Sequence, residues 1–119
     1  MYELQVEKYF ASAHQLVDYN GPCENLHGHN WRVQVIVAGE ELDHVGMLID
    51  FKILKGYLQE IIDFLDHKFL NDILEFSPTS EKLSKYIYTE MQKKLNKAAT
   101  IKKVIVWESD TACATYYKS

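Results

Sequence analysis

From His27 to Val37 the chain alternates, with His27, His29, Trp31, Val33, Val35 and Val37 on one parity and Gly28, Asn30, Arg32, Gln34 and Ile36 on the other. A period of two belongs to a strand, in which residues i and i+2 share a face. Its apolar face must be covered by another layer, and its first two same-face residues are histidines that can point at one ion. This strand is expected to run to about Ala38, where Gly39-Glu40-Glu41 ends it. No other stretch restricts the fold as strongly, since it demands both a buried sheet face and a polar site at its edge.

The segments around it complete an architecture. Tyr2, Leu4 and Val6 alternate with Glu3, Gln5 and Glu7, a half-buried strand that continues through Tyr9-Phe10-Ala11-Ser12-Ala13-His14. Asp18-Tyr19-Asn20-Gly21-Pro22 is a loop by its turn chemistry. After a short mixed stretch from Leu42 to Ile49, with Gly46 as a turn, Asp50 stands as N-cap to a helix. Leu54, Leu58, Ile61, Ile62 and Leu65 form its apolar stripe, and the helix leads to Asp66-His67. A loop from Asn71 to Thr79 precedes a second helix carrying Leu83, Ile87, Met91 and Leu95 on one face. Lys93, Lys94 and Lys97 lie near its carboxyl end, where cations suit the dipole. Val104–Glu108 reads as a strand, Ser109-Asp110 as a turn, and Ala112–Tyr117 as the returning strand. The order β-β-α-α-β-β implies an α+β fold, an antiparallel sheet covered by helices on one face. Its open edges and second face invite oligomerisation.

At 119 residues the chain is expected to form one domain. A net charge of −4 argues against binding nucleic acid through a broad basic surface. Cys23 and Cys113 make neither a disulfide framework nor a CxxC pair. The start, Met1-Tyr2-Glu3-Leu4-Gln5, lacks the regions of a signal peptide, and no apolar run reaches membrane-span length. A reduced, soluble, cytoplasmic protein with no membrane partner is the expectation.

The chemistry-bearing residues each allow two readings. His27 and His29 form a metal-binding pair, and His14 becomes a third ligand if the first strand pairs with the second. Three neutral imidazoles leave zinc an open coordination position, as in catalytic sites. Cys23 can be a small buried apolar residue, a fourth ligand that closes a structural site, or a thiolate base or nucleophile standing off the metal. Asp66-His67 is either a helix end favoured by the dipole or an imidazole oriented by a carboxylate for proton transfer. Glu108 is an ordinary strand-end carboxylate or an acceptor for the amidine-like edge of a ligand. His44 reads as surface and Cys113 as packing.

Together these residues resemble the 6-pyruvoyl-tetrahydropterin synthase / 6-carboxytetrahydropterin synthase family. The matching elements are Phe10-Ala11-Ser12-Ala13-His14, Cys23-x-x-x-His27-Gly28-His29, Gly46-Met47-Leu48-Ile49-Asp50-Phe51 and Leu65-Asp66-His67. They continue through Pro78-Thr79-Ser80-Glu81 and Glu108-Ser109-Asp110-Thr111 into Ala114-x-Tyr116, in the family's order and over nearly the whole chain. The resemblance implies the tunnelling fold, a four-stranded antiparallel sheet with two helices between its second and third strands. It also implies trimers that stack into hexamers, with active sites between subunits. It makes His14, His27 and His29 zinc ligands, Cys23 the proton-transfer group and Asp66 with His67 a relay. Glu108 becomes the pterin anchor, with Thr79 and Ser80 beside it. The implied substrate is a small molecule, 7,8-dihydroneopterin triphosphate.

The three-residue gap between Cys23 and His27 resembles the bacterial 6-carboxytetrahydropterin synthases of queuosine and other deazapurine pathways. The segment also reads Glu24-x-x-His27-Gly28-His29, similar to a subgroup in which a glutamate at that spacing replaces the cysteine. Those enzymes cleave the side chain to 6-hydroxymethyl-dihydropterin for folate. With both Cys23 and Glu24 present the sequence looks like a dual variant. Lys82 stands where the family often has Asn, and Ser109-Asp110 where it often has Thr-Pro, which touches loop geometry rather than the metal site. The alternatives are folate-directed cleavage, pyruvoyl-pterin formation and, in a different class, a non-catalytic zinc-stabilised binding module with Cys23 as fourth ligand.

Overall fold

The computed structural model describes residues 1–16, 26–95 and 99–119. The expected Asp18–Pro22 loop, Cys23, Glu24 and Lys97 therefore lie outside the described residues. Strands β1 (Tyr2–His14), β2 (His27–Gly39), β3 (Thr100–Ser109) and β4 (Ala112–Tyr116) pair antiparallel in the order β1-β2-β3-β4. Between β2 and β3 come α1 (Phe51–Leu65), the short α2 (Leu70–Ile73) and α3 (Ser80–Lys94). The β-β-α-α-β-β order and the helix-covered antiparallel sheet are as the sequence implies.

Register explains which face is buried. Val6 lies opposite Val35 and Phe10 opposite Trp31, while Val33 and Val35 face Val106 and Val104 on β3. All of these are buried. The face they form is covered by α1, which packs on β1, and by α3, which packs on β3 and β4. Leu54, Leu58, Ile61, Ile62 and Leu65 of α1 are all buried, as the stripe requires. Each contributes roughly 1.5–3 kcal/mol relative to an exposed side chain. Asp50 caps α1 by accepting the Lys52 amide at 2.8 Å, and Thr79 caps α3 by accepting the Lys82 amide at 3.1 Å. Gly46 adopts φ +92°, a conformation that suits glycine, in the turn that Asp43 closes with its side chain. No described helix is long and apolar enough to cross a membrane.

The structure adds details that periodicity conceals. A single helical turn, α2, lies where a loop was expected, because four residues are too few to establish a 3.6-residue pattern. Strand β3 begins at Thr100 rather than Val104. Ile36 pairs with Lys103 and Val37 with Ile101, so Lys102 is an extra residue in the strand. That bulge separates the buried Ile101 and Val104 by three positions instead of two, hiding the alternation. A second irregularity falls between Trp107 and Ser109: these pair with Cys113 and Ala112, leaving Glu108 as the extra residue.

Candidate metal centre

His14 ends β1 and His27 begins β2, and the two are register partners; Ser12 faces His29. The histidines therefore stand on the same face as the core, just beyond the apolar rows. Trp31, fully buried, forms the floor: its ring meets His14 edge-on at 4.9 Å and His29 at 5.3 Å between centroids. Its indole N–H donates to the Ser12 carbonyl at 3.2 Å, tying the two strands together below the site.

Three imidazoles and one carboxylate converge above that floor. The Nε2 atoms of His14 and His27 are 3.0 Å apart. Glu108 Oε1 lies 3.1 Å from His14 Nε2, 2.9 Å from His29 Nε2 and 3.8 Å from His27 Nε2. One donor atom from each of the four residues lies within 4.8 Å of every other. The β3 bulge explains how Glu108 reaches this point, since an extra residue re-aims a side chain. Its other oxygen, Oε2, accepts from the Ser80 hydroxyl at 3.5 Å.

The donor chemistry fits a metal ion. His14 is 1% exposed, and its Nδ1 lies 2.7 Å from the Pro78 carbonyl, which can only accept. Nδ1 therefore carries the proton, and in the neutral ring Nε2 is a bare lone pair. That lone pair faces a carboxylate oxygen at 3.1 Å, an acceptor against an acceptor. With the ring neutral the contact is repulsive, and either a second proton on the ring or a metal ion between the groups relieves it. His29 Nε2 is buried and lies 2.9 Å from Glu108 Oε1, yet without hydrogen-bond geometry. Burial holds the His29 pKa below its ordinary value of 6.5, against the opposing pull of Glu108, which favours the neutral ligand form. Tetrahedral zinc with Zn–N of about 2.0–2.1 Å would set nitrogens about 3.3 Å apart, against 3.0 Å between His14 Nε2 and His27 Nε2. The Pro78 carbonyl plays the part of the outer partner that fixes a ligand's tautomer.

Asp66 and His67 form a separate unit on the outer edge of β1. Asp66 Oδ1 accepts the Ala11 amide at 2.9 Å, and its Oδ2 lies 2.9 Å from His67 Nδ1. The backbone joins in: the His67 amide donates to Ala11 O at 2.6 Å and the Ala13 amide to Lys68 O at 3.0 Å. These bonds hold His67 at φ +55°, uncommon for a residue with a side chain. Its ring is 81% exposed, so the imidazole is oriented by Asp66 but presented to solvent. His67 and His29 border one shallow cleft floored by Ala11, Ala13 and Gly28. The Ala11 amide, with His67 adding to it, holds the Asp66 pKa below its ordinary 3.8. A depressed carboxylate stabilises the fold above the unfolded pKa, and that contribution is lost as pH falls through the folded value. Asp66→Asn is thus expected to lower the melting temperature at neutral pH, with the gap from wild type closing as pH is taken below 3.8. A gap that stays constant across a thermal melt series down to low pH would sink this reading.

The expected site residues divide accordingly. His14, His27, His29 and Glu108 come together, and Ser80 touches Glu108. Thr79 uses its hydroxyl as helix cap, with Pro78 beside it binding His14 through its carbonyl. Asp66 and His67 pair with each other; Cys23 and Glu24 lie outside the described residues. Cys113, expected in packing, is instead exposed, because β4 is an edge strand and this residue points away from the helices. It lines a cleft with Ser80, Glu108 and Thr115. The role of the Pro78 carbonyl escaped sequence reasoning, since a backbone acceptor leaves no residue-type signal.

Comparison with known proteins agrees with this fold. A family model described as 6-pyruvoyl tetrahydropterin synthase matches residues 3–119. A 6-carboxy-5,6,7,8-tetrahydropterin synthase from Synechocystis sp. is 38% identical, over 98% of this chain and 94% of its own. A dihydroneopterin monophosphate aldolase from Pyrococcus furiosus is 33% identical over 73% of this chain and 74% of its own. Among solved structures, 6-pyruvoyl tetrahydropterin synthase from Caenorhabditis elegans superposes with a TM-score of 0.88 at 27% identity, covering 99% of this chain and 96% of that one.

Proposed function

The chain belongs to the 6-pyruvoyl tetrahydropterin synthase family, and from that premise we propose that it is a zinc-dependent 6-carboxy-5,6,7,8-tetrahydropterin synthase acting on 7,8-dihydroneopterin triphosphate. The observation that carries the proposal is the convergence of His14, His27, His29 and Glu108, one donor atom from each lying within 4.8 Å of the others. His14, His27 and His29 would hold the zinc. Bound there, it supplies Lewis acidity that makes protons beside coordinated hydroxyls easier to remove.

The chain's own residues account for the rest. Glu108, with Ser80 donating to it and Thr79 next to Ser80 in the chain, accepts the N–H donors of the pterin ring and fixes which carbon faces the metal. The cleft that Glu108 and Ser80 share with β4 offers room beside the carboxylate. Cys23 and His67 move protons at the side-chain carbons, and Asp66 keeps the His67 ring in one tautomer and orientation. The net change consumes water and converts the three-carbon side chain to a carboxylate, with acetaldehyde and triphosphate released. His67 is exposed and both sheet edges have free length, so a homo-oligomer, trimeric or hexameric, with sites between subunits suits the surface.

A second reading has specific support. Glu24 three residues before His27, together with the aldolase relative, favours side-chain cleavage to 6-hydroxymethyl-dihydropterin, alone or as a second activity. Incubating the zinc-loaded protein with dihydroneopterin triphosphate and identifying the pterin by mass spectrometry decides between them. The expected result is 6-carboxytetrahydropterin with acetaldehyde. A hydroxymethyl or pyruvoyl product moves the assignment within the family. No product from protein of verified zinc content leaves the non-catalytic binding module.

A further inference from the structure

We propose that a groove on the helix-free face of the sheet, running from His67 to Arg32, receives the phosphate tail of the substrate, with Arg32 as the residue that recognises it. The proposal rests on the enzymatic reading above and deepens it, because the substrate class carries a triphosphate while the protein's net charge is −4. Some local cation must bind that group.

Arg32 is the chain's single arginine, and its side chain lies over a neighbouring ring. Its guanidinium carbon sits 4.5 Å from the centroid of the Trp107 ring, its cross-strand neighbour. That ring is fixed in turn: the Trp107 indole N–H donates to Gln34 Oε1 at 2.9 Å, and the Gln34 amide donates to Glu7 Oε1 at 2.8 Å. Among the described residues the Arg32 side chain makes no hydrogen bond or ion pair. A guanidinium held over an aromatic ring without other partners has the N–H donors of its planar fork available for phosphate oxygens.

The groove around it points toward the catalytic pair. Asn30, Arg32, Trp107 and Ser109 line one cleft, and Ala11 and Asn30 carry it into the next, bordered by His67 and Lys68. From Asn30 to Arg32 is about 7 Å along the strand, a span suited to an extended polyphosphate. Two carboxylates also border the cleft, Asp66 and Asp110. Asp66 is engaged by the Ala11 amide and His67, and Asp110 is exposed at the rim without an ion pair to Arg32.

The test uses zinc-loaded protein, wild type against Arg32→Gln and Arg32→Lys, with inorganic tripolyphosphate as the calorimetric probe. Affinity is expected to fall by about 10-fold or more in Arg32→Gln, as for loss of a charge-assisted hydrogen bond, and to recover in part in Arg32→Lys. KM for dihydroneopterin triphosphate should rise by a similar factor, about 10-fold, with kcat changed less. Unchanged tripolyphosphate binding in Arg32→Gln overturns the proposal, as does binding lost in His29→Ala but kept in Arg32→Gln. Failure of the two readings is separable. Product formation with KM unmoved in both Arg32 variants removes the anion site alone. Arg32-dependent tripolyphosphate binding without any product removes the enzymatic reading alone.

Discussion

Loss of the metal proposed for this cluster is the result expected of His29→Ala. The ring is one of three whose Nε2 atoms meet near Glu108, and it is half-buried at the end of the sheet, 22% exposed. Removing a group that merely orients a ligand weakens metal binding by about 10–100-fold, so loss of a ligand should exceed the upper end of that range. Zinc measured by elemental analysis after dialysis is expected to fall from near one per chain to background, and product formation with it. The melting temperature in the presence of a chelator should move little, because Trp31 and the strands beneath retain their packing. Full zinc retention in the variant would remove His29 from the ligand set. His14→Ala is a poorer test, as it also strands the Pro78 carbonyl in the interior and opens a hole beside Trp31.

The largest loss of stability is expected from Trp31→Ala. The side chain is fully buried, stacks on Phe10 at 5.8 Å and supports both His14 and His29. Truncating a buried tryptophan costs about 3–5 kcal/mol through lost transfer energy and the cavity left behind. The Ser12 carbonyl also loses its donor. Trp31→Phe keeps the ring floor and loses chiefly the indole hydrogen bond, about 1 kcal/mol. Denaturant midpoints at fixed protein concentration, with and without zinc, separate the effects. The alanine variant should be destabilised in both conditions and bind zinc more weakly. A cost below about 1 kcal/mol would mean that the site does not depend on this floor.

Much of this was legible in the chain. His27 and His29 could be placed on one face because a strand has period two, whatever it packs against. The stripe from Leu54 to Leu65, ended by Asp66-His67, fixed α1 in the same way, since helical periodicity is a local property. His14 could join the site only through pairing of β1 with β2, which the hairpin order suggested and the register His14–His27 realised. Glu108 was visible as a carboxylate after an apolar strand, but not that its Oε1 enters the histidine cluster. That outcome depends on the bulge opposite Ala112 and Cys113, and a bulge leaves no periodic signal. Arg32 read only as the polar side of a strand. Its position over Trp107 arises from a cross-strand pairing whose partners lie 75 positions apart in the chain.

The sequence by itself determined the elements, their order, the apolar faces and the histidine pair, because each follows from repeats of two or 3.6 residues and from the chemistry of single side chains. Only the tertiary structure decided which lone pairs meet. It put the Pro78 carbonyl behind His14, the Glu108 carboxylate in front of it, and Asp66 against His67 on the far side of β1. Those contacts join segments distant in the chain, and their geometry is set by register, bulges and caps to within an ångström. That is the scale on which a metal site or a proton relay is made.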